Sequence, residues 1–222
     1  MKFVTSFLVF GILCMSSLFV QAQKVKTYKE KSDPAATKIL KNLQKVYGKY
    51  EGIELKYSLE LEYGDEKQLQ EGEILQEGNK YRINNNGNLI INDGSTVWVY
   101  IKEQNEVQVN DYIPEEDDFM FSPAKIFSIG ENDKDFVYVI TGEDSRGYKI
   151  EFKPLDKDSD IMKIRIRVDK SQTKISSVKV FSDDGTRMTF KIKSIKDVSP
   201  SSSSFKFNKA KYPGVTEVDM RD

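Results

Sequence analysis

Ile91-Asn92-Asp93-Gly94-Ser95-Thr96-Val97-Trp98-Val99-Tyr100-Ile101 carries the reading of this chain. Asp-Gly between apolar runs is a strong hairpin signal, because both residues tolerate the positive φ of a tight turn. The strand after the turn is apolar on both sides. Side chains alternate along a strand, so Val97, Val99 and Ile101 share one face and Trp98 and Tyr100 the other. A strand with one face in water alternates apolar with polar. This one needs cover on both faces.

Its surroundings are β-rich. Upstream, Ile53, Leu55, Tyr57, Leu59, Leu61 and Tyr63 alternate with mostly charged residues, the period-two signature of a half-buried strand. Gly64-Asp65 and Gly78-Asn79 turn the chain, Tyr81 and Ile83 mark a third strand, and Asn84 to Gly87 turns again. Downstream, the pattern predicts strands around Val107, Tyr138, Ile150, Ile164, Val178 and Phe190, and a last one at Phe205 to Phe207 before a Pro213-Gly214 turn and a polar tail. Two helices interrupt the sheet. Asp33-Pro34 supplies a cap and a first-turn proline. Ala36, Ile39, Leu40, Leu43, Val46 and Tyr47 then form one apolar stripe on a helix ending near Tyr50. Ser122-Pro123 opens a shorter helix carrying Ile126, Phe127 and Ile129. About eleven antiparallel strands in one layer must curl to limit their edges. The expected fold is mainly β: an open, strongly curved sheet with two or three helices over its mouth.

Residues 1–22 read as an export signal. Lys2 provides the n-region, Phe3 to Val20 the apolar core, and Val20-Gln21-Ala22 the cleavage site. A run of this length also approaches a membrane span, but the short n-region and small-residue site favour cleavage near Ala22. Cys14 falls within the signal, so residues 23–222 form a cysteine-free exported chain, read as one domain that rests on an ordinary core. With 34 basic and 35 acidic residues, no net charge argues for nucleic acid.

The catalytic inventory is thin. The chain has no histidine, which removes Ser-His-Asp arrangements and imidazole metal sites. No phosphate-binding glycine loop occurs. Asp156, Asp158 and Asp160 have calcium-loop spacing, but Ile161 stands where that loop needs glycine and Arg167 where it needs glutamate. A carboxylate pair of the glycosidase kind is left open but nothing specifies it, and the inventory argues for a binding protein rather than an enzyme.

The Asp93-Gly94-Ser95-Thr96-Val97-Trp98-Val99-Tyr100 run resembles a D-G-x-x-[LV]-W-x-Y signature of the periplasmic outer-membrane lipoprotein carriers (Lol-type). Ser122-Pro123 and its helix are similar to their short sheet-capping helix. Phe205-Lys206-Phe207, Pro213-Gly214-Val215 and Asp219-Met220-Arg221 are similar to their ending. The resemblance runs in order along the mature chain. It implies an unclosed barrel of eleven strands with a helical lid, whose cavity shields acyl chains of lipoproteins between the inner and outer membranes. On this reading Tyr57, Leu59, Tyr81, Ile83, Trp98 and Tyr100 line the cavity. Ile39, Leu40, Leu43, Ile126 and Phe127 form the lid. The implied partners are acylated lipoproteins, an inner-membrane lipoprotein-releasing transporter and an outer-membrane acceptor, met in the periplasm by a monomeric carrier. One departure stands out: the family's lid arginine and following proline are replaced by Glu77-Gly78, and Arg82 points away from Tyr81 and Ile83. Two alternatives remain open at this point: an envelope lipid-binding or sensor module with a different cargo, and a structural or carbohydrate-binding envelope protein.

Overall fold

The computed structural model describes residues 31–114 and 135–221. The expected signal segment and the expected helix after Ser122, with Ile126 and Phe127, fall outside the described residues. Helix α1 spans Pro34–Tyr47. As expected, Asp33 caps it, its carboxylate accepting the Ala35 N–H at 2.8 Å. The helix stops before Tyr50, because Gly48 takes the C-cap position and its N–H returns to the carbonyls of Gln44 and Val46.

The rest is one sheet. Its strands are β1 (Gly52–Tyr63), β2 (Glu66–Glu77), β3 (Lys80–Asn85), β4 (Asn88–Asn92), β5 (Thr96–Ile101) and β6 (Glu106–Asp111). After residues 115–134 come β7 (Phe136–Asp144), β8 (Gly147–Pro154), β9 (Ile161–Val168), β10 (Ile175–Ser182), β11 (Arg187–Val198) and β12 (Thr216–Asp219). The spatial order is β12-β6-β5-β4-β3-β2-β1-β11-β10-β9-β8-β7. Two meanders therefore join where β1 pairs with β11, and every pairing is antiparallel except β12 on β6. The sheet is an unclosed barrel, with β12 and β7 as its edges. The β7 edge is partly blunted by the helix cap. Asp33 N–H donates to the Tyr138 carbonyl at 2.8 Å, and the Ile140 N–H donates to the Asp33 carboxylate at 3.5 Å.

The chain end corrects one expectation. Ser202–Phe205 is a 3₁₀ turn rather than a strand, and a second 3₁₀ turn covers Lys209–Lys211. Phe205 and Phe207 alternate like strand residues, but Phe205 is inserted fully into the protein from a turn. The extra strand, β12, comes from the polar tail. Thr216 N–H donates to the Asn105 carbonyl and Met220 N–H to the Val109 carbonyl, which holds the tail along β6. Residues 199–215 thus form a strap across one face of the sheet, opposite α1.

Candidate functional site

Two apolar layers lie on opposite faces of the sheet. The larger gathers the buried stripe of α1 (Ala36, Ile39, Leu40, Leu43, Tyr47) with Leu55, Tyr57, Leu59, Ile74, Tyr81 and Ile83, and continues over β7–β11. The smaller gathers Leu89, Ile91, Tyr100, Val107 and Val215, with Trp98, Phe207 and Tyr212 packed against it. Register explains the division. Ile83 faces Ile90 across β3–β4, and Ile90 faces Val99 across β4–β5, so these three share the α1 face. Arg82 faces Ile91, and Ile91 faces Trp98, so these three share the strap face.

The expected cavity wall is accordingly split. Tyr57, Leu59, Tyr81 and Ile83 come together on the α1 face, with Ile39, Leu40 and Leu43 over the same layer. Trp98 and Tyr100 lie on the other face under the strap, where Tyr100 packs 4.4 Å from Tyr212 and donates to Asn105 Oδ1 at 3.1 Å. Placing those two residues in the same wall as Tyr81 is thus corrected. The residues of this hairpin that face α1 are Ile90, Val97, Val99 and Ile101, and all four are half-buried. The turn itself is fixed by side chains. Gly94 has φ +96°, its N–H donates to Asn92 Oδ1, and Asp93 accepts from the N–H groups of Ser95 and Thr96. Burial opposes ionisation of Asp93, but those hydrogen bonds outweigh it and hold its carboxyl below the usual range.

The attachment of α1 is one-sided. Its hydrogen bonds to the sheet, among the described residues, reach only the β7–β10 half. Thr37 Oγ1 lies 3.2 Å from the Tyr138 hydroxyl, Asn42 donates to Gln172 in the β9–β10 turn, and the Ile175 N–H donates to the Tyr47 hydroxyl. Its buried stripe of Ala36, Ile39, Leu40, Leu43 and Tyr47 joins the larger apolar layer. The layer also holds polar groups: Gln44 Nε2, Gln76 Oε1 and Asn85 Oδ1 are buried without a hydrogen-bond partner among the described residues. Burial pushes the phenols of Tyr47 and Tyr57 up to about 12. Glu77 lies 3.6 Å from Lys80, and Gly78 turns with φ +57°. Asp156, Asp158 and Asp160 are exposed in the β8–β9 turn, where Asp158 N–H donates to Asp156.

With this geometry in view, known proteins supply context. The family model described as outer membrane lipoprotein carrier protein LolA matches residues 49–208. No curated protein matches the sequence. Solved structures match at low identity. An uncharacterized conserved protein from Thermus thermophilus superposes with a TM-score of 0.52 at 10% identity, over 83% of this chain and 99% of that one. A DUF1329 family protein from Desulfovibrio piger gives 0.46 at 12% identity, over 79% and 98%. A LolA superfamily protein from Nitrosomonas europaea gives 0.43 at 12% identity, over 78% and 97%. The likeness to the Thermus protein is a likeness of fold.

Proposed function

The chain belongs to the LolA family of outer membrane lipoprotein carrier proteins, and on that premise we propose that it is a non-enzymatic periplasmic carrier. It holds the acyl chains of lipoproteins between α1 and the face of β1–β5. It receives them from an inner-membrane releasing transporter and delivers them to an outer-membrane acceptor.

The one-sided attachment of α1 carries this reading. Directional bonds tie the helix to β7 and the β9–β10 region, and its buried stripe belongs to the same apolar layer as Tyr57, Leu59, Tyr81 and Ile83. Apolar contact is non-directional, so an acyl chain can replace it without leaving donors unpaired. Each buried CH₂ contributes about 0.8 kcal/mol. A guest therefore gains from entering, and the helix keeps its polar hinge. Half-buried Ile90, Val97, Val99 and Ile101 extend the same face beyond the buried layer.

A second reading rests on Glu77-Gly78. The family's arginine is missing there, and Glu77 engages Lys80 instead. A lid fastened differently suits a different envelope lipid. One experiment separates the two. The chain is purified from an envelope extract and its co-purifying molecules are identified by mass spectrometry, alongside release of lipoproteins from inner-membrane vesicles. Acylated peptides with release support the lipoprotein carrier. Free lipid without peptide supports the second reading. Neither lipid nor release overturns both.

A further inference from the structure

The face opposite α1 carries a cleft that the carrier reading leaves unused. It opens between the strap and β2–β4 in two adjoining lobes of about 360 Å³ and 140 Å³. Arg82 from β3, Ser203 from the first 3₁₀ turn and Lys211 from the second line both lobes. Ser204 adds to the larger lobe and Lys206 to the smaller. The hydroxyls of Ser203 and Ser204 are held together through Ser201 Oγ, at 2.9 and 3.1 Å.

Several basic side chains on the sheet sit against carboxylates: Lys67 and Lys179 on Glu62, Lys163 and Arg165 on Glu151, Arg167 on Asp144. In the cleft, neither Arg82 nor Lys211 forms an ion pair with any described residue. Lys206 acts on Asp93 at a distance, and that carboxylate is already engaged by Ser95 and Thr96. The carboxylate lining the larger lobe, Glu73, is paired with Lys56 at 3.3 Å. Three cations thus converge, one from β3 and two from the strap, which the tertiary fold brings together. Concentrating one sign of charge in a cleft focuses the field there and favours an anion.

We propose that this cleft binds a tetrahedral oxyanion of the phosphate class, with Arg82 as the bidentate ligand, Lys206 and Lys211 as flanking charges, and Ser203 and Ser204 as hydroxyl donors. The guanidinium fork matches phosphate geometry, and lysines serve as movable point charges. The phosphate can be free or part of a lipid headgroup. The site stands apart from the acyl-chain face and does not depend on it.

The test uses the full mature chain. Inorganic phosphate is titrated at low ionic strength while the amide resonances of Ser203 and Ser204 and the Arg82 Nε–H are followed by NMR. Saturable shifts are expected, with affinity falling about tenfold in K211Q, which loses one charged contact, and by more in R82Q, which loses both bonds of the fork. Arg82→Lys retains a charge and loses less. A control chain with K157Q and K174Q, both exposed and remote, keeps wild-type affinity. A parallel arm measures co-sedimentation with phosphatidylcholine vesicles with and without phosphatidylglycerol. Phosphatidylglycerol-dependent binding that R82Q abolishes assigns the anion to a headgroup, and shifts with free phosphate alone assign it to the ion. Absence of both, or equal weakening in the control chain, overturns the proposal. Acyl-peptide co-purification is unaffected in either event, so failure here is distinct from failure of the carrier reading.

Discussion

The ring of Tyr57 lies across the backbone of Gly72, its register partner on β2, so closely that a Cβ at position 72 would stand 2.2 Å from Tyr57 Cζ. Tyr57 is buried and packs on Phe190 with ring centroids 5.4 Å apart, so it has little freedom to withdraw. Gly72→Ala is therefore expected to destabilise the fold by about 1–3 kcal/mol through overpacking. Urea unfolding measures it. In a Tyr57→Leu background the same substitution should cost far less, because the two positions share one space. Equal cost in both backgrounds would refute the contact.

Alkaline pH probes the same layer. Burial raises the phenols of Tyr47 and Tyr57 from 10.0 to about 12, the bond from Ile175 N–H partly offsetting this at Tyr47. Below pH 10 both states keep these protons and the contribution is complete. Above it the unfolded chain ionises first, so stability falls until the folded pKa near 12 is passed. Urea midpoints taken from pH 9 upward should drop across that window, and less steeply in Tyr57→Phe. A flat profile would contradict burial of both phenols.

Asp33 joins the helix cap to the edge strand β7. Its carboxylate accepts from Ala35 and Ile140 N–H, while its own N–H donates to Tyr138. Asp33→Ala removes both carboxylate contacts and should cost about 1–2 kcal/mol, the range for a lost N-cap. Hydrogen exchange should quicken along α1 and at Ile140 and leave β3–β5 unchanged. Uniform acceleration would mean that α1 does not move as a separate unit.

Trp98 reports on the strap. It packs against the layer that contains Tyr100, Phe207 and Tyr212, on the face away from α1. Phe207→Ala is expected to red-shift its emission by opening that layer. Addition of a fatty-acyl ligand should leave the emission unchanged. The reverse pattern would place the guest under the strap and overturn the assignment of the α1 face.

Much of this was legible in the chain. The apolar stripe from Ala36 to Tyr47 and its Asp33-Pro34 start are local signals, and they mark α1 and its buried side correctly. The alternation from Ile53 to Tyr63 marks β1 with its bounds. Trp98 and Tyr100 were misplaced for a reason that can be stated. Strand β5 is apolar on both faces, so pattern alone does not orient it. Turn length does. Asn86-Gly87 closes a two-residue turn with positive φ at both positions, pairing Asn85 with Asn88. The tight turn at Gly94 pairs Asn92 with Val97. Counting across both puts Val99 beside Ile90 and Ile83, and Trp98 beside Ile91 and Arg82.

The strands, their turns and the capped helix follow from residue order, since each depends on neighbours within a few positions. Face, partner and closure do not. Whether Trp98 meets α1 or the strap depends on register accumulated over three strands, where a slip of one residue exchanges the faces. The parallel seat of β12 beside β6 depends on Asn105, which accepts Thr216 N–H and donates to the Pro213 carbonyl from over a hundred positions away. The convergence of Arg82 with Lys206 and Lys211 has the same origin: burial of Phe205 draws the strap onto the sheet and brings its lysines beside β3.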